Sequence, residues 1–113
     1  MEKTVLLAMI QECIRQGKAV VGKHVMPKHG GEGFTVTQGI ESILAGEIIE
    51  VYPDRDRVLI CGQTSGVAID KRFVGNYIHS SVRIEWNMQA QQVVVVTMYR
   101  PDGNNWKNQY TRK

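Results

Sequence analysis

Cysteine is scarce in this sequence: Cys13 and Cys61 are the only two among 113 residues. Two cysteines cannot build the disulfide framework of a small secreted domain. Cys13 falls on the apolar stripe of a helix-forming segment and Cys61 inside a strand-forming one, so both read as buried free thiols of a reducing compartment. Long apolar runs are lacking too, since none approaches the roughly 20 residues that a membrane helix needs. The apolar stretch 5–10 is flanked by Glu2 and Glu12 with no small-residue cleavage site behind it, which does not read as a signal peptide. The expectation is a cytoplasmic protein with no membrane partner. Gly30, Gly31 and Gly33 lack the spacing of a dinucleotide loop, and no strand–glycine–helix order surrounds them. There is no cysteine–histidine cluster, and Pro27 and the nearby glycines do not suit a helical pairing of His24 with His29. No cofactor or metal is expected.

What the sequence does have is unevenly placed positive charge. The net charge is +3. In the last fourteen residues Arg100, Lys107, Arg112 and Lys113 face a single acid, Asp102, so the remainder of the chain balances. A second basic stretch holds Arg15, Lys18, Lys23 and Lys28 with no acid between Glu12 and Glu32. Two basic segments on a neutral body suit a polyanion, although such segments are also ordinary solvated surface.

Residues 5–16 carry Val5, Leu6, Met9, Ile10, Cys13 and Ile14 at helical spacing, and Gly17 is a natural stop. Residues 19–22 have the composition of a short strand before a glycine-rich basic loop. A second helix is expected over 37–45, with Thr35 and Gln38 at the spacing of a capping box. From Glu47 the period changes to two. Strands are expected over 47–52, 57–63, 77–86 and 92–100, the first two joined by Pro53-Asp54-Arg55-Asp56. Two helices followed by four strands predict one α+β domain. In it, two N-terminal helices pack on one face of a mostly antiparallel four-stranded sheet.

Alternation then sorts side chains by face. Ile78, Ser80, Val82, Ile84 and Trp86 suit the core, as do Val58 and Ile60. In the last strand Val94, Val96 and Met98 are assigned to the core, leaving Val93, Val95, Thr97 and Tyr99 opposite. The open face then gathers Arg57, Gln63, His79, Ser81, Arg83, Glu85 and Tyr99, while Arg100 points to the other side at a strand end. An imidazole, a carboxylate, two guanidiniums and a phenol on one face are the ingredients of acid–base chemistry on a phosphate. Cross-strand charge pairs also serve stability alone.

Several segments together carry a resemblance. They are Ile78-His79-Ser80-Ser81-Val82, then Val95-Val96-Thr97-Met98-Tyr99-Arg100-Pro101-Asp102, Trp106, and the basic end Arg112-Lys113. With His24, Ile48-Ile49-Glu50-Val51-Tyr52 and Gly62-Gln63-Thr64 upstream, the pattern covers most of the chain from about Val20. It resembles a small prokaryotic domain family grouped with the RelE, barnase and colicin-type ribonucleases. The chain departs from that pattern at His24-Val25, at the glycine-rich insertion after His29, at Ser80-Ser81 and at Arg112-Lys113. The resemblance implies a RelE-like fold over residues 1–113. It also implies a metal-independent endoribonuclease toxin of a type II toxin–antitoxin pair. The partners implied are RNA, including mRNA on the ribosome, and a cognate antitoxin of zinc-ribbon kind. Its catalytic candidates here are His79, Tyr99, His24, Arg57 and Arg83. The candidates for contacting RNA are Lys23, Lys28, Arg100, Arg112 and Lys113. The alternative is a noncatalytic RNA- or protein-binding module that retains the fold.

Overall fold

The computed structural model describes residues 2–22, 25, 33–65, 71–86 and 91–113. Helix α1 spans Lys3–Arg15, strand β1 Ala19–Val21 and helix α2 Val36–Leu44. They are followed by β2 (Glu47–Tyr52), a short 3-10 turn (Pro53–Arg55), β3 (Arg57–Gln63), β4 (Tyr77–Trp86) and β5 (Gln91–Tyr99). Among the described residues, no helix is long and apolar enough to cross a membrane.

Local chemistry accounts for the element ends. The Glu2 carboxylate accepts the Thr4 amide at 3.0 Å and starts α1. Thr35 and Gln38 cap α2 reciprocally, each side chain accepting the other residue's backbone N–H. Asp56 closes the β2–β3 turn at φ 50°, a left-handed conformation that aspartate tolerates better than most residues.

The sheet has five strands in the order β1-β5-β4-β3-β2. Strands β2 to β5 run antiparallel in sequence order, but β1 lies parallel to β5, with Val20 opposite Val94. The expected four-stranded, mostly antiparallel, RelE-like sheet under two N-terminal helices is therefore corrected. The sheet is mixed and five-stranded, and only α1 is N-terminal, since α2 follows a strand. The α+β class remains. The reason lies in β1, which is only three residues long, too short for a period-two signal. The sequence suggests a short strand at 19–22, but its partner is more than seventy residues away, so only tertiary pairing adds it to the sheet.

Both helices pack on the same face. Leu6, Ile10 and Cys13 of α1 and Ile43 of α2 join Val58, Ile60, Ile78, Val82, Ile84, Val93, Val95 and Met98 in one core. Helix α2 lies so close to β3 that a Cβ at Gly62 would sit 1.6 Å from the Ser42 carbonyl oxygen. Gly39 likewise leaves room for the Met98 thioether.

Two bulges decide what reaches the other face. In β5, Thr97 pairs with Ser81 and Val95 with Val82, so Val96 is the extra residue. This corrects the assignment of the valine run: Val93 and Val95 are fully buried in the core, and Val94 lies opposite Arg83 on the open face. In β2, Ile48 pairs with Ile60 and Glu50 with Leu59, leaving Ile49 extra. That bulge puts Glu47, Glu50 and Tyr52 all beside open-face residues of β3.

Candidate functional site

The open face is not bare. The chain after β5 folds back over it as a small hairpin, with Trp106 bridged to Arg112. The Asn108 carboxamide caps its tip by accepting the Tyr110 and Thr111 amides at 2.8 and 2.9 Å. Trp106 is 3% exposed and stands edge-on to the His79 ring, 4.3 Å between centroids.

His79 sits between Cys61 and Tyr99 in the sheet register. It is on the face opposite the helices, as alternation predicts, yet it is fully buried because the hairpin covers it. Its Nε2 lies 2.6 Å from the Gln109 carbonyl oxygen. A carbonyl only accepts, so Nε2 carries a proton, and in the neutral ring Nδ1 is then the acceptor. Nδ1 faces the Tyr99 hydroxyl at 3.3 Å, which therefore donates to it. Burial holds the imidazole below its ordinary pKa, reinforced by Arg112 and opposed by the Gln109 hydrogen bond and by Glu50. His79 is thus neutral and directed at Tyr99. Burial pushes the Tyr99 phenol up to about 12 despite the nearby Arg112.

Tyr99 lines a cleft of about 620 Å³ together with Tyr52, Asp54, Arg55, Arg57, Ser81 and Arg112. Arg57 faces Arg83 directly across the β3–β4 pair, an arrangement that is unfavourable unless both charges are compensated. Arg83 donates to Glu85 at 2.9 Å, and Gln92 donates to the same carboxylate at 3.0 Å. Arg83 thereby turns away from the cleft. The Arg57 Nε is buried and has no hydrogen-bond acceptor among the described residues.

Arg112 is the tail's anchor. It donates to both Glu50 oxygens at 2.8 and 3.0 Å and to the Tyr52 hydroxyl at 3.4 Å. Its guanidinium lies 4.5 Å from the Trp106 ring centroid. Tyr52 donates to Glu50 in turn. The Arg112 guanidinium holds the Glu50 carboxyl below its ordinary pKa, while burial, and then the hydrogen bond to Glu50, raise that of Tyr52.

Of the sequence candidates, the structure brings Tyr99, Arg57 and Arg112 to one cleft, with His79 behind Tyr99. It does not bring Arg83 there. Arg100 is 1% exposed and donates to the Gly33 carbonyl at 3.3 Å, so it does not offer its charge to a surface ligand. As the second residue after Met98 it shares that core-facing side. Lys113 is exposed at the rim of a neighbouring cleft. Lys23, His24 and Lys28 lie outside the described residues. Sequence reasoning passed over Glu50, Tyr52 and Arg55. The spacing of Glu50 and Tyr52 placed them on one face, but only the Ile49 bulge turns that face toward the site.

Among the described residues, no three histidines, cysteines or carboxylates are gathered to hold a metal ion. No protein-family model, curated protein or solved structure matches this chain.

Proposed function

We propose that this protein binds RNA in the Arg57–Tyr99–Arg112 cleft and cleaves it by attack of a ribose 2′-hydroxyl on the adjacent phosphate. The observation that carries the reading is the Tyr99 hydroxyl, which lines a cleft with three guanidiniums while donating to a neutral, buried imidazole. Such a phenol can take the 2′-hydroxyl proton as it passes its own to His79 Nδ1. His79 is in this sense a positioning and relay residue rather than the group that meets RNA. The new bond joins the 2′-oxygen to phosphorus. The bond from phosphorus to the 5′-oxygen breaks, and that oxygen takes a proton from solvent. Cationic groups set against the negative charge of the developing phosphorane are the usual requirement of this chemistry. Arg57 supports the assignment because a buried guanidinium donor without an acceptor, opposite a like charge, is costly until an anion arrives.

The family resemblance supplies the wider context: a cytoplasmic ribonuclease toxin, metal-independent and restrained by a cognate antitoxin. The test is cleavage of a single-stranded RNA by the purified protein, alone and with translating ribosomes. Products should end in 2′,3′-cyclic phosphate, and Tyr99→Phe should slow the reaction by about 10²–10⁴-fold. RNA left intact in both settings would remove the catalytic reading.

One observation favours a second reading. Because both ring nitrogens of His79 are engaged and the ring is fully buried, the face also suits a noncatalytic RNA-binding module. In that case Arg57→Ala weakens RNA binding, and Tyr99→Phe leaves RNA equally intact.

A further inference from the structure

The tail hairpin has a second side. Arg112 borders the arginine cleft, and two residues earlier Tyr110 borders another cleft of about 310 Å³. Its lining includes Glu47, Gln63, Tyr77 and Tyr110, with Cys61 at its base. The sheet register builds it: Glu47 pairs with Cys61 on one side of β3, and Gln63 pairs with Tyr77 on the other. Along β3, Leu59 of the first cleft and Cys61 of the second are two residues apart, about 7 Å of strand. That is the scale on which a nucleotide's base is displaced from its phosphate.

The chemistry of this second cleft differs from that of the first. Among the described residues its lining holds no guanidinium. It offers two phenol rings, one carboxamide and one carboxylate, with Tyr110 45% exposed. Tyr110 and Glu47 line the cleft together, which sets the tail beside that carboxylate. Exposed aromatic rings are platforms for unstacked bases, and polar groups beside them read the Watson–Crick edge. A carboxylate only accepts hydrogen bonds, and it accepts two side by side. Guanine is the common base with two adjacent donors on that edge, N1–H and the N2 amino group. Adenine and cytosine place a bare ring nitrogen beside their amino group, and the single N3–H of uracil lies between two carbonyls. The Gln63 amide can then donate to guanine O6, completing a three-point match.

We infer that the Glu47–Gln63–Tyr77–Tyr110 cleft is a guanine-reading subsite for an RNA strand whose phosphate occupies the arginine cleft. The inference rests on the RNA reading above and adds the base that it selects. Glu47 is the specificity-determining residue, Gln63 its complement, and the tyrosines the stacking surfaces.

The experiment is a set of equilibrium titrations of the full chain with the four nucleoside 3′-monophosphates and with inorganic phosphate, followed by NMR. The guanosine nucleotide should bind about tenfold or more tightly than the other three and should shift the Tyr77 and Tyr110 ring signals. Inorganic phosphate should leave those rings unmoved. Glu47→Gln should abolish the preference, whereas Tyr99→Phe should retain it. Equal binding of all four nucleotides, or a preference that survives Glu47→Gln, would overturn the guanine subsite. If nucleotides then still bind and Arg57→Ala weakens them, the arginine cleft stands without it. If neither the nucleotides nor a single-stranded RNA binds, both readings fall.

Discussion

Arg112 grips Glu50 through two hydrogen bonds of 2.8 and 3.0 Å and so fastens the end of the chain across the open face of the sheet. The pair joins positions 62 residues apart in sequence. It closes the hairpin whose Gln109 carbonyl holds His79 and whose Trp106 lies against the same ring.

That latch makes a first prediction. The Arg112 side chain is 53% exposed and that of Glu50 24%, so a double-mutant cycle of Arg112→Ala and Glu50→Ala should give a modest coupling of about 0.2–1 kcal/mol. Folding lowers the Glu50 pKa, so the latch contributes fully above the unfolded carboxyl pKa of about 4.3 and is lost as pH falls through the folded value. Protection of the Lys107 and Lys113 amides in hydrogen exchange should fall in Arg112→Ala. Unchanged protection would mean that Trp106 alone holds the tail.

His79 gives a second. Alternation by itself suggests an exposed histidine whose removal leaves the thermal melt unchanged. Full burial under the hairpin instead predicts that His79→Ala destabilises the protein by about 1–3 kcal/mol, through weaker packing and an unsatisfied Gln109 carbonyl. A drop in activity in that variant reports on folding as well as chemistry, which makes Tyr99→Phe the cleaner probe. The folded His79 pKa lies below its ordinary value. Its contribution is therefore complete above about pH 6.5 and declines as pH drops toward the folded pKa. Urea melts at pH 7.5 and pH 5.5 should differ in wild type by more than in His79→Phe.

Binding gives a third. Arg57→Ala should weaken RNA binding and flatten the salt dependence by about one unit of slope for each phosphate that is no longer neutralised. Lys113→Ala should do so more weakly, and Arg100→Lys should leave the slope unchanged because Arg100 is buried. A fluorescence titration against potassium chloride separates these. An unaltered slope in Arg57→Ala would remove the phosphate from that cleft.

The fourth concerns the scaffold. Val82 is fully buried on the helix side, so Val82→Ala should cost about 1–3 kcal/mol without changing the salt slope of RNA binding. Gly62→Ala should be worse than Val82→Ala, because its Cβ would meet backbone of α2 at 1.6 Å. A Gly62→Ala variant that melts no lower than Val82→Ala would contradict the close α2–β3 approach.

Local pattern accounts for most of the secondary-structure elements. The bounds of β2, β3 and β4 and the reciprocal cap of Thr35 and Gln38 follow from spacing alone. Each depends on neighbours a few residues away, which is the range over which periodicity and capping act. Tertiary structure decided the rest. The short strand suggested at 19–22 finds its place in the sheet, parallel to β5, only through tertiary pairing. The extra residues Val96 and Ile49 reverse alternation where a partner strand absorbs them, which sends Val93 and Val95 inward and Glu50 toward the site. Above all, the polar tail folds back, so His79 is buried on a face that alternation left open, and Arg112 is committed to Glu50. Those outcomes depend on hydrogen bonds between residues 30 to 62 positions apart, and no local pattern encodes where a polar tail will lie.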